Sequence, residues 1–235
     1  MHGGRMGGRV GGRLVWVLVA AVCLALGLGA PALGRVQASA RHPVTVADRD
    51  AALVALATLR VRGPDEHADA YERSEFGTAW ADVDRNGCDT RQDVLRRDLV
   101  AVTLDPADAC VVLSGSLADP YTGRTIPFLR GERSADVQID HVVALADAWA
   151  SGAAQWSPDR RERFANDPAN LLAVDGPANE DKGASDAAQW LPPDPGYGCV
   201  YAVRQVRVKA AYGLSVASDE RAALAAAIGS CTVTR

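Results

Sequence analysis

Apolar and polar positions alternate in a way that divides the chain after residue 40 into short helices and strands. Leu53, Leu56 and Leu59 recur at helical spacing behind Thr45, which predicts a capped helix that runs to Arg60. Further helices are predicted at 90–100, 144–150, 158–165, 178–189 and 218–228, and strands at 111–113, 137–140 and 171–174. The segment 200–211 fits either element. This mixture, without internal repeats, predicts one α+β domain.

The first 40 residues differ in composition from the rest of the chain. Three arginines precede an uncharged apolar run over 14–34, and Ala38-Ser39-Ala40 follows. That order predicts a signal peptide over 1–40. The alternative is a retained membrane anchor, since the run is about long enough to span a bilayer. We expect a secreted protein with no stable membrane association after cleavage, with an N-terminal helix and linker at 41–70 and the main domain at 71–235.

Charge and cysteine content change once the predicted signal peptide is removed. The whole chain carries 25 basic and 29 acidic side chains, and residues 1–40 contain four arginines and no acid, so the remainder has 21 basic side chains and a net charge of −8. That excess argues against coating of nucleic acid by charge alone. Four cysteines remain, which predicts two disulfides in an exported protein. Three pairings are open, and we favour Cys88–Cys110 and Cys199–Cys231 because each closes a local loop.

The strongest candidates for catalytic or metal-binding residues follow one another in the second half of the chain. Asp140 and His141 stand together where an apolar strand is predicted to end, and Asn170 precedes the next strand. Asn179 and Lys182 lie three residues apart in the helix predicted after that strand. Taken singly, each has an ordinary alternative, such as a satisfied ion pair, a capping residue or an exposed helix start. Only the ordered set points to a site.

This ordered set resembles the HNH nucleases, also called ββα-metal or His-Me finger nucleases. The surrounding sequence motifs are similar to those of exported HNH-family proteins related to the C-terminal domain of GmrSD-type restriction enzymes. They include Asp140-His-Val-Val-Ala-Leu145, Asn170-Leu-Leu-Ala-Val174, Trp190-Leu-Pro-Pro193, Tyr71-x-Arg73, Asn86-Gly-Cys-Asp-Thr-Arg91 and Asp119-Pro-Tyr-Thr-Gly123. The resemblance covers roughly residues 71–231. It implies a ββα-metal core at about 137–190, embedded in a single disulfide-stabilised α+β domain with additional helices.

The resemblance also implies an activity, namely hydrolysis of phosphodiester bonds in DNA, with RNA as an alternative substrate. Asp140 and Asn179 would bind Mg²⁺ or Mn²⁺ through hard oxygen atoms. His141, brought to the same site by a bend at the strand end, would be the general base that activates water. Asn170 would hold the loop that positions His141. Lys182, one helical turn after Asn179, would steady the charge of the phosphate.

Substrate binding calls for positive charge near these residues. Arg130 and Arg163 flank the proposed site in sequence, although Arg163 also fits the solvated face of a short helix. Basic and aromatic residues do not alternate, so we expect cleavage of the nucleic-acid backbone largely without sequence specificity. We also expect a monomer. The question of an inhibitor partner stays open.

A second motif offers a different function. Asp82, Asp84 and Asn86 alternate before Gly87, like the first half of a calcium loop, so Ca²⁺ is a second cofactor to consider. The simpler interpretation is a turn anchored by Cys88. Two alternatives to the nuclease therefore remain: a calcium-dependent extracellular binding module, and a catalytically silent wall-associated protein on the same fold.

Overall fold

The computed structural model describes residues 42–63, 66 and 69–234, so the predicted signal peptide lies outside the described residues. The helices are α1 (Val46–Thr58), α2 (Thr90–Asp98), α3 (Leu145–Ala150), α4 (Pro158–Ala165), α5 (Gly176–Lys182), α6 (Gly198–Tyr212) and α7 (Ser218–Gly229). The strands are β1 (Val44–Thr45), β2 (Leu99–Leu104), β3 (Val112–Ala118), β4 (Thr125–Leu129), β5 (Val137–His141), β6 (Leu171–Asp175) and β7 (Val233–Thr234). This mixed architecture confirms the α+β prediction. None of these helices is both long and apolar enough to cross a membrane.

Within the described ranges the strands form three small sheets. Strands β2, β3 and β4 make an antiparallel sheet in that order, and the short strands β1 and β7 pair in parallel near the two ends. Strands β5 and β6 form an antiparallel pair whose register runs from Val137 opposite Asp175 to His141 opposite Leu171. Helix α5 follows β6 directly and contacts both strands. The predicted Asp-His pair therefore ends one strand of this two-stranded sheet.

The β5–β6 pair lies between two hydrophobic clusters. Ile139 and Leu171 pack with residues of α2 and β3 on one face, whereas Leu172 and Val174 pack with Tyr201 of α6 on the other. Because both faces are covered, all five residues of β6 are buried. The site at the end of these strands is consequently surrounded by packed protein. Such packing limits movement of the side chains that the strands carry.

Local signals account for most helix boundaries, and the differences have identifiable causes. Thr45 caps α1 as predicted, its Oγ1 accepting from the Asp48 N–H at 3.0 Å, but the helix ends at Thr58 instead of Arg60. Leu53 is 37% exposed, so the buried stripe is narrower than predicted. Helix α5 ends at Lys182, well before Gln189, because Gly183 leaves the helix at φ 51°. The segment 200–211 is helical.

Both predicted disulfides are present. Cys88–Cys110 joins the loop before α2 to the loop before β3, and Cys199–Cys231 joins the first turn of α6 to the segment after α7. The bridges span sequence separations of 22 and 32 residues. Closing loops of this size contributes about 3 kcal/mol each in the chain-entropy account. One bridge therefore closes the segment that contains α2 and β2, and the other fastens the two C-terminal helices to each other.

Candidate active site

Asp140 is the buried carboxylate at the end of β5. Its Oδ1 accepts from Lys182 Nζ at 2.8 Å and its Oδ2 accepts from the Tyr121 hydroxyl at 2.5 Å. Lys182, in the last turn of α5, also donates to the His141 carbonyl at 2.9 Å. Burial raises the pKa of Asp140, while Lys182 and Tyr121 act in the opposite direction. These contacts fix the strand end to the helix end.

Tyr121 is a site residue that the sequence did not single out. It stands in the turn over 119–123, and Asp119 Oδ1 joins this turn to β6 by accepting from the Asp175 N–H at 3.0 Å. Burial and the neighbouring Asp140 charge raise the pKa of Tyr121, so its hydroxyl stays protonated and donates. The sequence signals were the turn residues and the family match of Asp119-Pro-Tyr-Thr-Gly123, and neither predicts a contact with Asp140.

His141 is held in one tautomer by the main chain. Its Nε2 lies 2.7 Å from the Ala165 carbonyl oxygen, at the end of α4. Because a carbonyl only accepts, Nε2 carries the hydrogen and Nδ1 is left as the acceptor. Burial lowers the pKa of His141 to about 4, the charges of Arg73 and Lys182 act the same way, and the Ala165 carbonyl opposes them. The imidazole is therefore neutral at pH 7.

Asn170 fixes the chain immediately after His141. Its side-chain Oδ1 accepts from the Val143 N–H at 2.8 Å, and its Nδ2 donates to the Val143 carbonyl at 3.2 Å. Its own carbonyl accepts from the Val142 N–H at 2.8 Å. The fully buried Asn170 thus spans the bend that begins at residue 142. This geometry agrees with the loop-holding role that the resemblance implies, and its effect on catalysis stays a prediction.

Asn179 joins Asp140 and His141 at one cavity of about 280 Å³. The Asn179 Nδ2 donates to Gln138 Oε1 at 2.8 Å, which orients the amide and leaves its Oδ1 as an oxygen ligand. The chain bends after β5, so Asp140 and His141 both line this cavity although they are neighbours on a strand. Three of the sequence-predicted site residues are thereby brought together.

The donor set at this cavity suits a hard divalent cation. The Asp140 carboxylate has about four acceptor positions, of which Lys182 and Tyr121 occupy two. Mg²⁺ commonly binds through one or two protein oxygens and keeps several waters, so Asp140 and Asn179 are sufficient ligands. Across the described residues, no group of three or more His, Cys, Asp or Glu side chains is arranged to hold a metal. The residues therefore fit a Mg²⁺ or Mn²⁺ ion that keeps several waters, and they do not form a site in which the protein supplies every ligand.

None of the three basic residues predicted from the sequence lines the cavity. Lys182 is buried against Asp140, so it has an internal partner in place of the predicted phosphate. Arg130 follows β4 and Arg163 lies in the last turn of α4; both are exposed, and neither lines the cavity. Arg73 does line it. Its only sequence signal was the short Tyr71-x-Arg73 match.

Arg73 begins a short 3₁₀ turn, Arg73–Phe76, that is fastened to α4. Arg161 donates to the Glu75 carbonyl at 2.7 Å and to Glu75 Oε2 at 2.9 Å, while Phe76 is buried against Trp149 and Phe164. The exposed Arg73 side chain therefore projects from an anchored segment. It is an exposed cation at the cavity that contains His141.

The predicted calcium loop has its polar atoms engaged with one another. Asp82 accepts from the N–H groups of Asn86 and Gly87 at 3.1 and 2.9 Å, and Asn86 Nδ2 donates to Asp84 and Asp93 at 3.1 Å each. Although burial acts in the opposite direction, the hydrogen bonds that Asp82 accepts, from the Gly87 and Asn86 N–H groups among others, lower its pKa. The disulfide-anchored turn accounts for the geometry, and calcium binding stays a prediction.

Fold and site together define an α+β protein with a histidine and a carboxylate at one strand end. A model of the C-terminal domain of GmrSD restriction endonucleases matches residues 89–227. The chain belongs to this family, and its function is nuclease-related. An uncharacterized secreted protein of Arthroderma benhamiae is 40% identical over 176 residues, which cover 74% of this chain and 80% of that protein. No solved structure gives a significant match. Arg73 and the loop at 82–86 precede the matched range.

Proposed function

We propose that this protein is a secreted, metal-dependent endonuclease that hydrolyses phosphodiester bonds of DNA. The observation that carries the proposal is the meeting of Asp140, His141 and Asn179 at one cavity, with the proton of His141 held on Nε2. Membership of the GmrSD family supports DNA as the substrate. Export is supported by the signal peptide predicted over 1–40 and by the name of the Arthroderma relative.

The residues divide the work of hydrolysis between them. His141 accepts a proton from the attacking water on Nδ1, the nitrogen that the Ala165 contact leaves unprotonated. Asp140 and Asn179 would hold Mg²⁺ or Mn²⁺, and the bound ion would supply positive charge to polarise the scissile phosphate and stabilise the leaving 3′ oxygen. Arg73 attracts the phosphate at the rim of the cavity.

Lys182 has a different role from the one that the resemblance implies. Its ammonium donates to Asp140 Oδ1 and to the His141 carbonyl, and its side chain has no exposed area. It is therefore a positioning residue that orients the metal-binding carboxylate. Strands β5 and β6 with helix α5 then constitute the ββα-metal core of the proposed enzyme.

Plasmid cutting tests the proposal directly. Purified protein without residues 1–40 should nick supercoiled DNA with Mg²⁺ or Mn²⁺ and should stop when a chelator is added. His141→Ala should abolish cutting while circular dichroism and melting temperature stay near wild type. His42→Ala is the matched control, because His42 packs against the Tyr197 ring, does not line this cavity and is not one of the proposed metal ligands.

Two results would contradict the nuclease. One is an intact plasmid with either metal present, which would favour the catalytically silent alternative. The other is normal cutting by His141→Ala. A rise in melting temperature with Ca²⁺ and no cutting would favour the extracellular binding module instead.

A further inference from the structure

A second cavity, of about 270 Å³, adjoins the same histidine. We call it the aromatic cavity; Arg73, Phe76, Trp80, His141, Ala165 and Asn166 are among the residues that line it. Arg73 and His141 also line the cavity that contains Asp140 and Asn179. The two spaces are therefore neighbours on either side of shared lining residues, one of which is the cation Arg73. A ligand with a phosphate and a flat apolar group would occupy both.

Trp80 provides the aromatic wall in an unusual backbone conformation. Its ring centroid lies 6.2 Å from that of His141, with the two planes 15° apart. The residue has φ 60°, the left-handed region that bulky side chains rarely adopt. Thr90, at the start of α2, holds this conformation by donating its N–H to the Trp80 carbonyl at 3.2 Å and its hydroxyl to Ala81 at 2.5 Å. The protein thus maintains a strained backbone conformation at a residue whose aromatic ring lines the cavity.

Asn166 leaves a polar atom unsatisfied at the same cavity. The residue is fully buried, and its Nδ2 donates to the carbonyls of Thr78 and Glu162 at 3.2 and 2.9 Å. Its Oδ1 has no hydrogen-bond partner among the described residues. Because a buried acceptor without a donor is costly, the cavity favours a ligand that brings an N–H group.

We infer that the aromatic cavity binds an unstacked nucleobase of the substrate, next to the phosphate that is cut. The inference rests on the proposed nuclease function. The base stacks on Trp80, one of its N–H groups donates to Asn166 Oδ1, and Arg73 binds the adjoining phosphate. An apolar side chain or lipid tail would leave Asn166 Oδ1 unpaired, whereas a base satisfies the acceptor and fills the apolar space.

This arrangement selects a class of substrate. A base inside a duplex is paired and stacked on both faces, so it cannot enter the cavity without leaving the helix. Single strands and unpaired segments present bases freely, and aromatic side chains bind them with little sequence preference. The preferred substrate is therefore single-stranded nucleic acid, or duplex at sites where bases are unpaired.

Binding in the presence of a chelator tests the inference without any cutting. The probes are a fluorescein-labelled single-stranded 12-nucleotide DNA of mixed sequence, its duplex, and a phosphodiester 12-mer with abasic sugars at every position. Fluorescence anisotropy should show the single strand bound about tenfold more tightly than the other two. Trp80→Ala should remove this preference and Trp80→Phe should keep most of it. Trp156→Ala is the matched control, a half-buried tryptophan that lines neither cavity.

The outcomes separate this inference from the proposed function. Equal affinity for all three probes, no detectable binding of the single strand, or an unchanged preference in Trp80→Ala would overturn the nucleobase subsite. A protein that prefers the single strand yet never cuts with Mg²⁺ or Mn²⁺ would overturn the nuclease and leave the subsite standing. A protein that cuts plasmid but does not prefer the single strand would overturn the subsite and leave the nuclease standing.

Discussion

The chain has two lysines, and both have fully buried side chains paired with carboxylates, but in different surroundings. Lys182 pairs with Asp140 at 2.8 Å beside the cavity that contains His141. Lys209 of α6 lies between Asp147 of α3, at 2.8 Å, and Glu220 of α7. Arg62 approaches the same two carboxylates at 3.8 and 3.6 Å.

The two clusters differ in how their polar atoms are satisfied. Both Asp140 oxygens accept hydrogen bonds, which occupy two of the about four acceptor positions of the carboxylate, and Asp140 lines a cavity. Lys209 is close to its two carboxylates without the angles of hydrogen bonds, and its cluster joins three helices. A buried ion pair alone is therefore no sign of an active site. Access to a cavity and spare acceptor capacity distinguish the Lys182 pair.

Removing Lys209 should have the largest effect on stability. Lys209→Met leaves Asp147 and Glu220 buried together, with Arg62 as their remaining ion-pair partner among the described residues, so the free energy of unfolding should fall by about 3–5 kcal/mol. Urea denaturation followed by circular dichroism measures the change. The double variant with Glu220→Gln should recover part of the loss. A loss below about 1 kcal/mol, the range of exposed pairs, would contradict a tightly buried network.

Removing Lys182 should cost somewhat less stability but should stop the proposed reaction. Lys182→Met leaves a single carboxylate, which Tyr121 still contacts and cavity water reaches, so we expect a loss of about 3 kcal/mol. Plasmid cutting should disappear because Asp140 is no longer oriented. Lys209→Met is the matched control, and it should still cut at a temperature where both variants are folded. If the two variants cut equally, the contrast between the clusters fails.

The Lys209 cluster should also respond to pH in a characteristic direction. Burial, reinforced by the Asp147 charge, raises the pKa of Glu220 from about 4.5 to about 6, although Lys209 opposes the shift. Because the folded carboxyl holds its proton more tightly, this contribution to stability is present below pH 4.5 and lost as the pH rises through 6. The loss is about 2 kcal/mol at 1.4 kcal/mol per pKa unit.

Glu220→Gln cannot titrate, so it isolates this effect. The unfolding free energy of wild type minus that of Glu220→Gln should fall by about 2 kcal/mol between pH 4 and pH 7. Asp219→Asn, the exposed neighbour in the same helical turn, is the control and should show no such fall. A difference that stays flat with pH would mean that Glu220 titrates normally in the folded protein.

Local patterns predicted the framework of the site better than its interior. Strand β5 and helix α4 agree with the predictions to within a residue because their signals are local: alternation in the strand, and a proline at the first position of the helix. Strand β4 was missed because Pro127 interrupts its pattern at the edge of a sheet. Strand β2 was missed because the helix predicted over 90–100 included its first residues, whereas helix α2 ends at Asp98 and the strand begins at Leu99.

Such local patterns do not predict contacts between segments that are distant in the sequence. Tyr121 reaches Asp140 only after the turn at 119–123 packs onto β6, and Arg73 reaches His141 only because Arg161 anchors its turn. Lys182 was correctly placed after Asn179 in one helix, but its partner depends on which side of that helix faces Asp140. Helical spacing gives the face of a side chain, and tertiary packing decides what lies opposite it.

The smallest expected effect distinguishes the two donors to Asp140. Tyr121→Phe keeps the ring packed against Trp190 and Tyr201 and removes only the hydroxyl. Lys182 still pairs with the other carboxylate oxygen, so the free energy of unfolding should fall by about 1 kcal/mol, and cutting should weaken but persist. Urea denaturation and plasmid nicking measure the two changes. If Tyr121→Phe instead matched Lys182→Met in both, the hydroxyl would be the donor that orients Asp140, and the buried lysine would serve mainly to hold α5 against β5, as Lys209 holds its three helices.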